Sequence, residues 1–212
     1  VTDEIIEKEA VKLLSPLDPL NIIGIGLNYK KHAKEINEGY PDKPLIFLKA
    51  TTSIIGPNDD IILPKLAPDE VDYEGELAVV IGKEAKNIEI EEIDDYILGY
   101  TCANDISARD CQFRLDDQWA RGKSFDTFCP IGPWIETEIS NPNNLDITTT
   151  LNGNIMQNSN TNDFIFNTKE LVSYCSKNLT LKPGTVILTG TPGGVGYARE
   201  PQVFLKPNDE VI

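Results

Sequence analysis

The chain of 212 residues is 40% hydrophobic, which suits one globular domain with a short N-terminal segment. Its 19 basic and 34 acidic residues give a formal net charge of −15, which argues against nucleic acids and anionic membranes as partners, because phosphates need clustered positive charge. The four cysteines form no Cys-x-x-Cys pair and His32 is the single histidine, which argues against a Cys/His zinc site.

Prolines divide the first third of the chain into short pieces, which favours strands and turns over long helices. Residues 2–14 fit either a short strand or a short helix, and their periodicity does not decide between them. A short β-type run then covers residues 21–27. Residues 28–37 read as a helix with Asn28 as its N-cap, ended by the glycine and proline that follow.

Several further runs of apolar residues are bounded by turn residues, as strands are. They predict strands at residues 45–48, 61–63, 73–81, 97–101, 130–139, 145–151 and 185–189. A turn is expected at 55–59, and the pair Asn152-Gly153 is typical of a β-hairpin. The polar segment 103–118 can be helical, and residues 168–177 are the second good helix candidate.

The sum of these elements is a mainly β (α+β) fold with few short helices. We expect residues 1–20 to form an N-terminal segment and residues 21–212 to form the main domain. Residues 211–212 are two apolar residues after an Asn-Asp turn and resemble a strand that has just begun, so the natural chain is expected to continue.

Three acidic residues are candidates for holding a metal ion. Glu74 and Glu76 are two apart on the clearest predicted strand, so their side chains point to the same face. Asp105 follows the predicted strand at 97–101, at the rim of a sheet. Carboxylates alone suit a hard cation, and Mg²⁺, Mn²⁺ and Ca²⁺ all fit. The alternatives are solvated surface charges for the glutamates and a helix N-cap for Asp105.

Acid–base chemistry has its candidates on the first predicted helix. His32 and Glu35 are three apart, so they share one face, and a carboxylate beside an imidazole orients the ring. Such a pair can take a proton from water. The alternative is an exposed helix with scattered charge.

A second group of polar residues follows Asp105. Arg109 and Lys123 can neutralise a substrate carboxylate or a developing oxyanion, and Gln112 can donate a hydrogen bond. If the segment is helical, Asp105 and Arg109 are neighbours on it. The alternative is a structural face of salt bridges.

Two glycine motifs invite nucleotide hypotheses that the sequence does not support. No Gly-Lys-Ser/Thr follows the turn that begins at Thr189 and Gly190, and Pro192 removes one amide donor. The Gly24-Ile-Gly26 pair lacks the third glycine of a dinucleotide fingerprint. The hydroxyls and amides of the turn can still bind a substrate carboxylate.

These signals meet in six ordered blocks that cover nearly the whole chain from about residue 20 onward. The blocks are GLNYKKHAKE (26–35), FLKATTSIIGP (47–57), DYEGELAVVIGK (72–83), GYTCANDISARDCQ (99–112), RGKSFDTFCPIGPW (121–134) and ILTGTPGGVG (187–196). The pattern closely resembles the short-chain branch of the fumarylacetoacetate hydrolase family, which includes acylpyruvate hydrolases and 2-hydroxyhepta-2,4-diene-1,7-dioate isomerases.

The resemblance implies a rolled mixed β-sheet, usually in a homodimer, and one Mg²⁺ or Mn²⁺. It assigns the metal to Glu74, Glu76 and Asp105, and a catalytic dyad on a lid segment to His32 and Glu35. It further implies oxyanion stabilisation or substrate binding by matching residues, which here are Lys123, Gln112, Arg109, Thr189 and Gly190. Relatives usually continue past residue 209 with a final strand that is absent here.

The function that the resemblance implies is chemistry on 2-oxo acids or 1,3-dicarbonyl compounds, with the metal as Lewis acid and template. The first choice is C–C bond hydrolysis of an acylpyruvate-type β-diketo acid, in which Glu35 and His32 deprotonate water. Isomerisation of 2-hydroxy-dienedioates and decarboxylation of oxaloacetate-like acids are the alternatives.

Two further classes are weighed against these enzymes. A binding protein without turnover is disfavoured by the intact His32–Glu35 pair. A nicotinamide-linked oxidoreductase is disfavoured by the missing fingerprint. The low cysteine content and the lack of an export signal favour a cytoplasmic location.

Overall fold

The computed structural model describes residue 7, residues 10–115 and residues 118–212. Within these ranges the chain is mostly β. The strands are β1 Ile22–Gly26, β2 Leu45–Lys49, β3 Ile54–Ile55, β4 Val71–Asp72, β5 Gly75–Ile81, β6 Ile97–Asn104, β7 Ser107–Ala108, β8 Cys129–Glu136, β9 Asp146–Leu151, β10 Asn154–Asn160 and β11 Val186–Leu188. The α-helices are α1 Lys30–Glu35, α2 Arg109–Phe113, α3 Trp119–Lys123 and α4 Thr168–Asn178.

One curled, mixed sheet of seven strands organises the molecule, in the order β2-β1-β11-β5-β6-β8-β3. The pairs β1/β11 and β3/β8 are parallel, and the other neighbours are antiparallel. The hairpin β9–β10 and the short pair β4–β7 lie beside this sheet. The expected rolled mixed sheet with few short helices is confirmed.

The two faces of the sheet have different roles because side chains alternate along each strand. On β5, Leu77 and Val79 face a core that α4 covers with Leu171, Val172 and Cys175. Helix α4 begins with a capping box at Asn167 and Glu170, which satisfies two backbone N–H groups at its first turn. The opposite face carries Glu76 and Ala78. It also carries Ile22 on β1 and Lys49 on β2, which lie opposite each other in the antiparallel pair of these two strands.

Helix α1 is shorter than predicted, and Asn28 is not its N-cap. Tyr29 occupies that position without a side-chain cap. The amide of Asn28 instead donates to the carbonyls of Phe166 and Thr189 and accepts from the backbone N–H of Phe166. The polar atoms of a buried amide need hydrogen-bond partners, and those of Asn28 find them in distant parts of the chain. The side chain is therefore not available to cap the helix.

One predicted strand is absent, and one predicted helix is shorter than expected. Residues 61–63 belong to no strand, and the Ile62 backbone N–H binds the Thr127 hydroxyl instead of a neighbouring strand. In the segment 103–118, strand β6 runs on to Asn104 and only α2 is helical between Asp105 and Leu115. Of that segment, Asp116 and Asp117 lie outside the described residues.

The turns and ends agree more closely with expectation. Asn152 and Gly153 have φ angles of 51° and 76° and join β9 to β10, so the predicted hairpin is confirmed. Val211 forms a single bridge to Leu151 of β9. Of residues 2–14, those at 2–6, 8 and 9 lie outside the described ranges, and 11–14 have no regular structure. The domain boundary at residue 21 stays a prediction.

Candidate metal and acid–base site

Glu74, Glu76 and Asp105 form a buried cluster in which one carboxylate oxygen from each lies within 4.8 Å of the others. Glu76 projects from β5, and Glu74 lies one residue before that strand. The backbone N–H of Asp105, directly after β6, donates to the Glu74 carbonyl at 2.8 Å, which ties the two strand ends together. All three side chains are buried, so they are not solvated surface charges. Asp105 is not an N-cap either, because α2 begins after Ala108.

Two buried lysines neutralise part of this cluster. Lys123 Nζ lies 2.7 Å from Glu74 Oε2 and 2.7 Å from Asp105 Oδ2. Lys49 Nζ lies 2.6 Å from Asp105 Oδ1 and also donates to the backbone carbonyl of Lys123. Lys49 was not among the residues predicted for the site. The available signal was a lysine at an inward-facing position of a strand, two residues after Phe47.

Arg109 is buried and paired with protein groups. Its guanidinium makes two hydrogen bonds to Asp72 Oδ2, one to Gln112 Oε1 at 2.9 Å and an ion pair to Glu74 Oε1 at 2.7 Å. Asp105 is not among these partners, so the predicted helix contact between Arg109 and Asp105 is absent. The reason is that α2 begins at Arg109, and Asp105 lies outside the helix. Asp72 was missed from the sequence, although it stands two residues before Glu74.

The charges in the cluster do not balance, which affects the pKa values of the glutamates. Burial together with the Asp105 and Glu74 charges raises the pKa of Glu76 well above its usual value. Burial also acts to raise the pKa of Glu74, but Lys123 and Arg109 outweigh it and the net shift is downward. The three carboxylates of the cluster and that of Asp72 make four acidic groups, and their neighbours Lys49, Lys123 and Arg109 supply three positive charges. An all-oxygen donor set that is short of positive charge fits a hard divalent cation.

His32 and Glu35 form the predicted pair on α1, with Nδ1 of the imidazole 3.1 Å from Oε2 of the carboxylate. The His32 side chain is 11% exposed and that of Glu35 is 26% exposed, so the pair is not fully solvated. Burial acts to raise the pKa of Glu35, but hydrogen bonds from His32 and the Gly194 backbone lower it overall. The carboxylate is therefore ionised at neutral pH and holds the ring through Nδ1, which leaves Nε2 for other contacts.

The glycine-rich turn (residues 190–196) connects the two halves of the site. The backbone N–H of Gly190 donates to Glu76 Oε2 at 2.6 Å, and that of Gly194 donates to both Glu35 oxygens at 3.0 and 3.1 Å. The Thr189 hydroxyl donates to the Leu77 carbonyl at 2.8 Å. The turn therefore positions carboxylates in this structure. The substrate contacts expected of Thr189 and Gly190 stay predictions, as do the catalytic roles of the other site residues.

A cavity of about 290 Å³ opens on the face of β5 and β6 that carries Leu77, Tyr100 and Cys102. Its lining also includes Trp134 and, from the carboxylate cluster, Glu76. The lining is mostly apolar.

Comparison with known proteins identifies the family. The model of the fumarylacetoacetate (FAA) hydrolase C-terminal family matches residues 21–212. The chain belongs to this family. The resemblance stated from the sequence is thereby confirmed.

The chain is similar to several known proteins over almost its whole length. It is 51% identical to a fumarylacetoacetate hydrolase domain-containing protein 2 homolog of Dictyostelium discoideum, over 96% of this chain and 70% of the relative. It is 50% identical to the mitochondrial oxaloacetate tautomerase of Xenopus laevis, over 98% of this chain and 66% of the relative. The crystal structure of a 5-carboxymethyl-2-hydroxymuconate delta-isomerase from Mycobacterium smegmatis matches with a TM-score of 0.84 and 46% identity, over 94% of this chain and 76% of that one.

The chain thus spans roughly two-thirds to three-quarters of the length of these relatives. None of the helices in the described part of the chain has the length and hydrophobicity to cross a membrane. Because the Xenopus relative is named as mitochondrial, the expected cytoplasmic location stays a prediction.

Proposed function

We propose that the chain is a divalent-metal-dependent enzyme that moves a proton at the carbon beside the carbonyl of a 2-oxo acid, as a keto–enol tautomerase or double-bond isomerase. The observation that carries this proposal is the His32–Glu35 pair joined through the glycine-rich turn to the Glu74–Glu76–Asp105 cluster. The names of two relatives, an oxaloacetate tautomerase and a hydroxymuconate isomerase, support the substrate class.

Glu74, Glu76 and Asp105 are the residues that would hold the ion, and we propose Mg²⁺ or Mn²⁺. When bound there, the ion acts as a Lewis acid that polarises the carbonyl and makes the neighbouring C–H bond more acidic. Lys49, Lys123 and Arg109 keep the carboxylates in place, because each of them pairs with at least one of Glu74 and Asp105.

In this proposal His32 and Glu35 carry out the proton transfer. Nε2 of His32 accepts the proton from the carbon beside the carbonyl, and the electron pair of the broken C–H bond forms the enolate. Glu35 stabilises the imidazolium through the 3.1 Å hydrogen bond to Nδ1. Returning the proton to the enolate oxygen gives the enol, so no other reactant is consumed. Donors beside the cluster, such as Lys123 and Gln112, can stabilise the enolate oxygen.

Hydrolysis of an acylpyruvate-type acid, the first choice from the sequence, is the second candidate. It is favoured by the ionised carboxylate of Glu35 next to His32, since this pair can equally take a proton from water. The hydroxide adds to the acyl ketone, the C–C bond breaks, and the leaving enolate carbon takes up the proton. The two candidates therefore share residues and differ in whether water is consumed.

A two-substrate assay separates these reactions. The enol form of oxaloacetate is mixed with protein and Mg²⁺, and malate dehydrogenase reports the keto form as it appears, with EDTA as the blank. Acetylpyruvate is assayed in parallel, and lactate dehydrogenase reports any pyruvate released. Metal-dependent acceleration of the first reaction alone supports the tautomerase proposal. Pyruvate release from acetylpyruvate alone favours the hydrolase, and release from oxaloacetate favours a decarboxylase. No metal-dependent reaction with any of these acids would contradict the proposal.

We also propose that the active form is a homodimer, as the family resemblance implies. Light scattering coupled to gel filtration tests this directly. A mass near that of a single chain, 23.5 kDa, at assay concentrations would contradict it.

A further inference from the structure

Asp72 is a fully buried aspartate at the end of β4 to which neither the sequence patterns nor the proposed mechanism gave a role. Both of its carboxylate oxygens are in use. Oδ2 accepts from Arg109 Nε at 2.9 Å, from Arg109 Nη2 at 2.7 Å and from the Tyr197 backbone at 2.9 Å. Oδ1 accepts from the backbone N–H groups of Gly196 and Tyr73, both at 2.8 Å. A buried carboxylate whose two oxygens accept five hydrogen bonds is rigidly placed.

The first consequence concerns Glu74. Because Nε and Nη2 of Arg109 both donate to Asp72, the planar guanidinium has a fixed orientation. In this orientation its Nη1 lies 2.7 Å from Glu74 Oε1. The other Glu74 oxygen is held by Lys123. The position of this carboxylate in the cluster is therefore set on one side by Asp72 through Arg109.

The second consequence concerns Glu35. Asp72 accepts hydrogen bonds from the backbone N–H groups of Gly196, the last residue of the glycine-rich turn, and of Tyr197, which follows it. The Gly194 N–H of the same turn holds the Glu35 carboxylate. The approach is close, because a Cβ built on Gly196 would lie 1.8 Å from the Val203 carbonyl oxygen and 2.7 Å from Asp72 Oδ1. Only glycine fits between these two groups.

We infer that Asp72 is a positioning residue that orients Glu74 through Arg109 and Glu35 through the glycine-rich turn. One buried carboxylate thereby couples the metal-holding and proton-moving halves of the site. This inference rests on the proposed function, because it needs a metal at Glu74 and acid–base work at Glu35. Partners that orient a metal ligand typically contribute about 10- to 100-fold to metal affinity.

The test measures Mn²⁺ affinity by electron paramagnetic resonance for wild type, Asp72→Asn, Arg109→Met and the double variant. Asp69→Asn, a change of the same chemistry at an exposed position three residues earlier, is the control. We expect Asp72→Asn to weaken Mn²⁺ binding about 10- to 100-fold. Because Asp72 acts on Glu74 through Arg109, the double variant should bind Mn²⁺ no more weakly than Arg109→Met alone.

The turn is followed independently through the single histidine. In ¹⁵N-histidine NMR spectra, the ring signals of His32 report its pairing with Glu35. We expect these signals to differ between the double variant and Arg109→Met. The reason is that asparagine at position 72 has only one acceptor oxygen, whereas Asp72 offers one each to the backbone N–H groups of Gly196 and Tyr197.

The outcomes are distinguishable. If Asp72→Asn is folded and binds Mn²⁺ like wild type, or if the two single losses multiply in the double variant, the inference is wrong while the proposed function stands. If Asp72→Asn does not fold, the double variant, which lacks both buried charges, still tests the contact with the turn, because His32 ring signals identical to those of Arg109→Met would overturn the inference. A wild-type protein that binds no Mn²⁺ overturns the proposed function and this inference with it.

Discussion

Lys49 and Asp105 form a buried ion pair, with 2.6 Å between Nζ and Oδ1, although 56 positions separate them in the chain. The other oxygen of Asp105 is bound by Lys123, so both sides of this carboxylate are fixed. The pair joins β2 to the residue that follows β6, and it places a positive charge beside the carboxylate cluster.

Replacing Lys49 with methionine should therefore destabilise the fold. The change keeps most of the side-chain volume but leaves the Asp105 oxygen without its partner in a buried, acid-rich cluster. Breaking such a pair by removing one member costs about 3–5 kcal/mol in the free energy of unfolding. Urea denaturation measures this loss. Lys43→Met, at an exposed position near the same strand, should change the free energy of unfolding little. Equal stability of the two variants would contradict the prediction.

Glu76→Ala should abolish metal binding and turnover together. Glu76 is one of three carboxylates in the cluster, and no other acidic group in the cluster takes its place. Calorimetric titration with Mn²⁺ measures binding without relying on activity. The control is Glu91→Ala, at an exposed glutamate distant from the cluster in sequence. Metal affinity and turnover that both survive Glu76→Ala would show that the metal site is assigned wrongly.

Glu35→Gln should lower kcat by about 10²- to 10⁴-fold while leaving Mn²⁺ affinity unchanged, because Glu35 belongs to the dyad and not to the carboxylate cluster. Glutamine still accepts the Gly194 hydrogen bond but cannot stabilise an imidazolium. Steady-state assays on oxaloacetate and acetylpyruvate measure the effect. Glu38→Gln, on the exposed side of the same segment, is the matched control. Loss of the acetylpyruvate reaction alone would place Glu35 on the attacking water.

The stability of the protein should depend on pH through Glu35. Although burial opposes it, hydrogen bonds from His32 and Gly194 lower the folded-state pKa below 4.5, so the ionised carboxylate stabilises the fold above that pH. This contribution is lost as pH falls through the folded-state pKa. The difference in unfolding free energy between wild type and Glu35→Gln should therefore shrink as pH falls from about 6 to about 3.5. Urea titrations across this range measure it, and a difference that grows on acidification contradicts it.

Gly24→Ala should destabilise the fold because the ring of Phe47 occupies the space beside Gly24 on β1. A Cβ at residue 24 would lie 2.2 Å from the nearest ring carbon, so the ring or the strand must shift. Overpacking of this kind costs about 1–3 kcal/mol. Gly39→Ala is the control, since a Cβ there meets nothing within 4 Å. Urea denaturation of both variants decides the matter, and an unchanged free energy of unfolding for Gly24→Ala would refute the packing argument.

Much of the site was predictable because its signals are local. The two-residue spacing of Glu74 and Glu76 follows strand periodicity, and the three-residue spacing of His32 and Glu35 follows the helix turn. The family resemblance then joined these separate pairs. The hairpin at Asn152-Gly153 was also read correctly, because positive φ angles restrict the choice of residues there.

The errors and omissions share a different cause. Asn28 was assigned to a helix cap, but its partner Phe166 lies 138 positions away. Lys49 and Asp72 were not recognised, and Asp72 finds Gly196 at a separation of 124 positions. Each of these polar side chains is ordinary in its local context and acquires its role from groups that the curled sheet brings to it.

The order of residues along the chain was thus enough to predict which residue types are available for metal and proton chemistry, and which pairs share a face of one element. That Asp72, Arg109 and the lysines hold those carboxylates in place became visible only in the folded chain. The physical reason is that spacing within a strand or helix follows from backbone geometry, which is the same everywhere. Burial and charge balance depend instead on how distant segments meet, and the alternation of residues along one segment carries no information about that.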